Sequence, residues 1–153
     1  MKEFGDDRHH DDALGDFQFH DNGWLGRWPL SDGDWCDLFT ALGEGEDWWT
    51  EPPAPEGLAR LLEGARELDR VKETALEAIR RFRTGTLGFN EGPPADEWTV
   101  LGLTADADRE LWISLHEYVT DEYSAWWARI RDGQAVEVRR GTAGTGCRPP
   151  APR

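Results

Sequence analysis

Cysteine is almost missing from this chain of 153 residues, which has only Cys36 and Cys147. Two cysteines exclude a disulfide-dense scaffold. One sits in an expected strand and the other in a Gly/Pro-rich tail, so both read as reduced thiols. Serine occurs three times, at Ser31, Ser114 and Ser124, and none lies in a Gly-x-Ser-x-Gly elbow. There is no phosphate-binding loop, no Gly-x-Gly-x-x-Gly after a strand and no His-Glu-x-x-His. No apolar run approaches the ~18 residues of a membrane-spanning helix. Met1-Lys2 leads into Asp and His without the apolar core of a signal peptide. The expectation is a cytoplasmic, non-membrane protein with no cofactor and no metal. Lysine appears only as Lys2 and Lys72, so arginine carries nearly all the positive charge.

What the chain has in excess is acid. Its net charge is −14, and the acids are clustered. Residues 1–53 hold 14 Asp+Glu against 3 Lys+Arg, and residues 91–122 hold 9 against 1. Residues 54–90 are nearly neutral at 6 against 7, and residues 123–153 turn basic at 2 against 6. Like charges crowded together weaken a fold. A chain that keeps them is solvating itself or offering an anionic surface to a cationic partner. The same charge disfavours nucleic acid phosphate and anionic lipid. Nine Trp and six Phe argue against a disordered acidic chain, because disordered chains are poor in aromatics.

Residues 1–12 are polar and read as a flexible terminus. Phe17 and Phe19 alternate with polar neighbours, which indicates a half-buried strand. Asn22-Gly23 is a strong hairpin signal. Trp24, Leu25 and Trp28 form a second strand that Pro29 ends or places at an edge. Asp32-Gly33 is another turn, and Trp35 to Leu42 a third strand. Leu58, Leu61, Leu62, Ala65, Leu68, Ala75, Leu76, Ile79 and Phe82 then recur at helical spacing. Pro55 suits the first turn and Gly85 the stop. A straight helix from 55 to 83 would be about 43 Å long, more than the diameter of about 40 Å expected for the whole globule. A break near Gly64 or Asp69 is therefore expected. Trp98 to Leu103, Leu111 to Val119, Tyr123 to Ile130 and Val136 to Val138 form a second meander, with Asp132-Gly133 as its last turn. The expected fold is α+β: an antiparallel sheet made of two meanders, with a long or broken central helix on one face. A single domain over 13–140 and a disordered tail over 141–153 complete the plan.

No catalytic residue and no metal site is assigned. His9-His10-Asp11-Asp12 has metal-capable side chains, but adjacent residues at a chain end lack the held frame that coordination needs. His20 and His116 lie on strands near acids, and they could meet as ligands or serve as a general base in an uncharacterised enzyme. Trp126-Trp127 must point to opposite faces of a strand. They are either buried on both sides or part of an aromatic contact surface.

The preferred candidate is a partner-binding patch of Glu44, Glu46, Asp47, Trp48, Trp49 and Glu51, with Asp32, Asp34 and Asp37 as a second patch. Acid beside indole suits an Arg- or Lys-rich protein, through steering and cation–π contacts. A nucleic-acid mimic that inhibits a defence or restriction protein is the alternative binding reading. The span from Leu14 to Gly141 also resembles an uncharacterised bacterial domain family akin to immunity proteins of toxin systems. The resemblance rests on Leu14-Gly15-Asp16-Phe17-Gln18-Phe19, Trp24-Leu25-Gly26, the helix from Leu58 to Phe82, and Trp112 to Arg139 with its Asp132-Gly133 turn. It implies a small binding protein that neutralises a basic toxin, and it carries over no catalytic residue.

Overall fold

The computed structural model describes residues 7–47, 49, 51–117, 124–142 and 149. Four strands come first: β1 (Arg8–Asp11), β2 (Gly15–Phe19), β3 (Gly23–Pro29) and β4 (Trp35–Ala41). Two helices follow, α1 (Pro55–Arg66) and α2 (Leu68–Arg81). Strands β5 (Trp98–Ala105), β6 (Leu111–Glu117), β7 (Ser124–Arg131) and β8 (Gln134–Thr142) close the chain. The strands lie in chain order in an eight-stranded sheet. The β1–β2, β2–β3, β3–β4 and β7–β8 pairs are antiparallel. The α+β class and the antiparallel sheet expected from the sequence are therefore present. No helix among the described residues is long and apolar enough to cross a membrane. The chain divides into two compact units, Met1–Arg66 with Leu103–Leu111, and Glu67–Gly102 with Trp112–Arg153. Nothing in the hydrophobic periodicity announced that subdivision.

In the first unit, alternation along the strands builds one buried face. Phe17, Trp24, Cys36, Leu38 and Thr40 are buried, and the register sets Trp24 opposite Thr40 and Gly26 opposite Leu38. Helix α1 lies against β4. It comes so close that a Cβ on Gly57 would stand 2.2 Å from Thr40 Oγ1. Only glycine permits that approach.

Two expectations for this unit need correction. The β2–β3 turn is one residue earlier than Asn22-Gly23. Asp21 and Asn22 both take positive φ, at 54° and 70°, and His20 and Gly23 exchange backbone hydrogen bonds of 2.8 and 3.2 Å. This is the two-residue turn that matches strand twist. Gly23 serves a different need: a Cβ there would lie 2.2 Å from Phe39 Cζ. The second correction is at the N-terminus. Residues 8–11, read as part of a flexible end, form β1 and pair with β2. His9 packs edge-on to Trp24. His10 Nδ1 lies 2.7 Å from Asp16 Oδ1. Asp11 Oδ1 accepts hydrogen bonds from the N–H groups of Ala13 and Leu14. A strand whose inward positions are His and Asp carries no hydrophobic signal, so polarity alone misread it.

Between the helices, Glu67 leaves the helical region with φ −114° and ψ 30°. The break therefore falls between the two positions expected for it, and it coincides with the boundary between the units. In the second unit, α2 places Val71, Ala75, Leu76 and Ile79 inward and packs on β7 and β8. It runs on into a π-helical turn at Phe82–Thr86. Trp126 and Trp127 are both buried. Phe82 meets Trp126 edge-on, while Trp127 clusters with Trp112, Ala125 and Leu101. Of the two readings of this pair, two-sided burial is the one realised. Asp132 and Gly133 turn β7 into β8 with φ 52° and 75°. Tyr118, Val119 and Tyr123, assigned to strands from the sequence, lie outside the described residues, as does most of the 141–153 tail.

Candidate functional site

The first unit gathers carboxylates at the ends of its strands. At one end of β4 the backbone N–H of Leu42 donates to Asn22 O at 3.1 Å, joining the β2–β3 turn to the loop that follows β4. That loop is tied in turn to the β5–β6 turn by Arg109. Its guanidinium donates to Ala41 O at 2.8 Å and forms an ion pair with Glu46. Glu46 Oε2 also accepts from the Gly43 N–H at 2.9 Å. Arg109 holds positive φ (63°), an uncommon conformation for a non-glycine residue, and the contacts of its side chain compensate. Asp106 Oδ1 caps the same turn by accepting from the N–H groups of Asp108 and Glu110. Three turns are thus stitched together, and Asp21, Glu44, Asp47 and Asp108 stand exposed on them.

The residues of the preferred patch therefore separate. Glu44, Asp47 and Glu51 are exposed, and Trp49 is 38% exposed. Glu46 is turned inward and committed to Arg109. Trp48 lies outside the described residues. Asp21 and Asp108 join this end of the unit, and the linear sequence missed them because they lie on other turns. The signal that could have found them is turn chemistry: each is an acid in a short polar loop between strands.

The second patch lies at the opposite end of β4, about 20 Å away by strand rise. Asp32 Oδ1 accepts from the Asp34 N–H at 3.0 Å, and Asp34 Oδ1 accepts from the Trp35 N–H at 3.0 Å. Both residues are exposed. Trp35 is 49% exposed, and the Arg27 guanidinium lies over its ring, 4.5 Å from the centroid. Arg27 stands directly opposite Asp37 in the register. Burial pushes the Asp37 carboxyl above its ordinary range, and the nearby Arg27 charge pulls the other way. Trp35 thus already holds a cation of this chain against its ring.

Other candidates resolve more simply. Burial, with the Asp37 charge, pushes the Cys36 thiol up to about 12, so it is inert as a nucleophile. Cys147 lies outside the described residues. His20 is exposed beside the β2–β3 turn and lines a groove of about 920 Å³. Asp16 is the only carboxylate among the groove's described lining residues, and it is already held by His10. That hydrogen bond, with the nearby acids, raises the His10 pKa. A histidine with one committed carboxylate is thin support for acid–base catalysis. His116 is half-buried on β6 in the other unit.

The second unit contains a charged site that sequence reasoning missed. Arg83 on the π-helical turn is 6% exposed and Glu117 on β6 is 4% exposed. Their Nη1 and Oε2 atoms lie 2.6 Å apart. Arg83 also donates to Asn90 O and Asn90 Oδ1, at 3.0 and 3.2 Å. The guanidinium faces the rings of Trp98 and Trp126, 5.7 and 5.2 Å from their centroids. Gly92 completes the wall, because a Cβ there would lie 3.2 Å from both Arg83 Cζ and Glu117 Oε2. Each guanidinium nitrogen donates to a partner within the chain, so this is a locked structural pair rather than a ligand site. On the other face of this unit's sheet, Arg129 and Arg139 lie over Trp112 and both pair with Glu137.

No protein-family model, curated protein or solved structure matches this chain.

Proposed function

We propose that the first unit is the docking surface of a small protein-binding module whose partner is a cationic protein. The observation that carries this reading is the exposed acid-and-indole set: Glu44, Asp47, Glu51 and Trp49 at one end of β4, and Asp32, Asp34 and Trp35 at the other. The field of such a set steers a basic partner and speeds encounter in a salt-dependent way. The indoles supply contact energy once the partner has docked. The stacking of Arg27 on Trp35 supports the same chemistry, since a partner arginine would meet the same kind of ring face. Neutralisation of a basic toxin, as the immunity-protein-like resemblance implies, is the specific role put forward.

The test is co-expression with the products encoded beside its gene. A basic product that arrests growth should be relieved by the chain. A variant carrying Asp32→Lys, Asp34→Lys, Glu44→Lys and Glu51→Lys should give no relief while keeping the parental circular dichroism spectrum. Equal relief by the two chains, or relief only of an acidic product, would reject the reading.

A further inference from the structure

We propose that β8 is a self-association edge, and that two copies of this chain pair antiparallel through it about a two-fold axis at Val138. Among the described residues the eight-stranded order leaves β1 and β8 as the end strands, and these two edges differ. Strand β1 has four residues, Arg-His-His-Asp, in the acidic unit, and short charged edges resist pairing. Strand β8 has nine residues, without proline or lysine. Its surroundings are nearly neutral: the second unit holds 12 Asp+Glu against 11 Lys+Arg. Like-charge repulsion, which would oppose association through the first unit, is therefore small here. Val136 on this strand is 45% exposed.

The register follows from the order of side chains. With Val138 facing itself, Glu137 of each copy stands opposite Arg139 of the partner subunit. Val136 is the extra residue of a bulge against β7, where Arg129 pairs with Glu137 and Ile130 with Ala135, so the regular ladder across the axis is counted from Glu137 to Arg139. Opposite charges directly across a strand pair stabilise it, and like charges oppose it. A two-fold axis normal to the sheet keeps every side chain on its own face, so the axis must pass through a residue that faces itself. Moving it one residue back sets Glu137 against glutamate, and moving it one residue forward sets Arg139 against arginine. Both neighbouring registers are thus opposed by charge, and the Val138 register is favoured by it. Within one chain Glu137 already bridges Arg129 and Arg139. Pairing extends that row into an alternating ladder across the axis. The interface is isologous, so it closes at two copies.

Two measurements decide it. Sedimentation equilibrium of the unaltered chain should show a concentration-dependent rise from 17.4 kDa to twice that mass. In a Cys147→Ser chain, Val138→Cys should form an intermolecular disulfide under mild oxidation, because directly opposed Cα atoms lie about 4.5–5.5 Å apart. Gln134→Cys, about 27 Å from its own counterpart in this register, should not. A monomer at every concentration would leave the edge to a strand of some other protein and overturn the proposal. So would cross-linking of the Gln134→Cys chain equal to that of the Val138→Cys chain.

Discussion

The two units divide the charge of the molecule very unequally. The first holds 19 Asp+Glu against 6 Lys+Arg, while the second holds 12 against 11. The difference lies also in what the charges do. In the second unit arginines are part of the packing: Arg83 is buried between tryptophans, Arg129 and Arg139 lie over Trp112, and Arg140 lies over Phe89 and Trp126. In the first unit Arg109 is absorbed by Glu46 and Ala41, while many carboxylates stay on exposed turns. The second unit packs several of its arginines against aromatic rings, while nearly all of the net negative charge lies in the first. An anionic total of −14 thus reflects one region of the chain, not an average property.

Applying the same chemical change in both units is the sharpest way to break this contrast. Glu117→Gln removes the charge opposite buried Arg83 and should destabilise by about 3–5 kcal/mol, read from urea midpoints. Glu44→Gln on the exposed loop should change stability by less than about 0.5 kcal/mol. Replacing both members of the buried pair, with Arg83→Met and Glu117→Leu, should recover much of the loss. If Glu117→Gln proved as mild as Glu44→Gln, the second unit would not depend on its internal charge.

A smaller effect is expected for Gly57→Ala. The added Cβ would meet Thr40 Oγ1, and overpacking of this kind costs about 1–3 kcal/mol. Thermal melts of Gly57→Ala and Gly45→Ala separate close approach from backbone strain, because Gly45 has open space around it but a positive φ of 80°. The smallest effect concerns Asp37, the one described carboxylate of the two patches with a resolved shift. Its folded pKa is raised, so the stability it permits is complete at low pH and is lost as pH rises through that pKa. Asp37→Asn should therefore be the more stable protein near neutral pH and equal to the parent well below the carboxylate range. Melts at the two pH values check the sign.

Much of the fold was legible because strands and helices announce themselves by period. Phe17 and Phe19 marked β2, and the Leu58–Phe82 stripe marked the helices. Asp132-Gly133 marked the last hairpin. What escaped was of two kinds. Strand β1 escaped because its inward residues are polar. The Arg83–Glu117 pair escaped because each residue alone violates its local pattern: an arginine follows Phe82 on the inner side of a helix end, and a glutamate continues the face of Leu111, Ile113 and Leu115. Only the folded chain brings together two such violations, 34 residues apart, so that they satisfy each other. The candidate patch was legible as composition but not as geometry. Nothing in the linear order told that Glu46 turns inward to Arg109, or that Asp21 and Asp108 stand on turns joined to the same loop.

Titration of an arginine-rich peptide into the isotopically labelled chain, followed through its tryptophan indole and backbone amide resonances, is the most direct test of the displayed field. The Trp35 and Trp49 indoles and the amides of residues 31–35 and 43–51 should shift, and added salt should abolish the shifts. Perturbations that centre on residues 67–102 or 124–142 instead, or that persist unchanged in high salt, would contradict it.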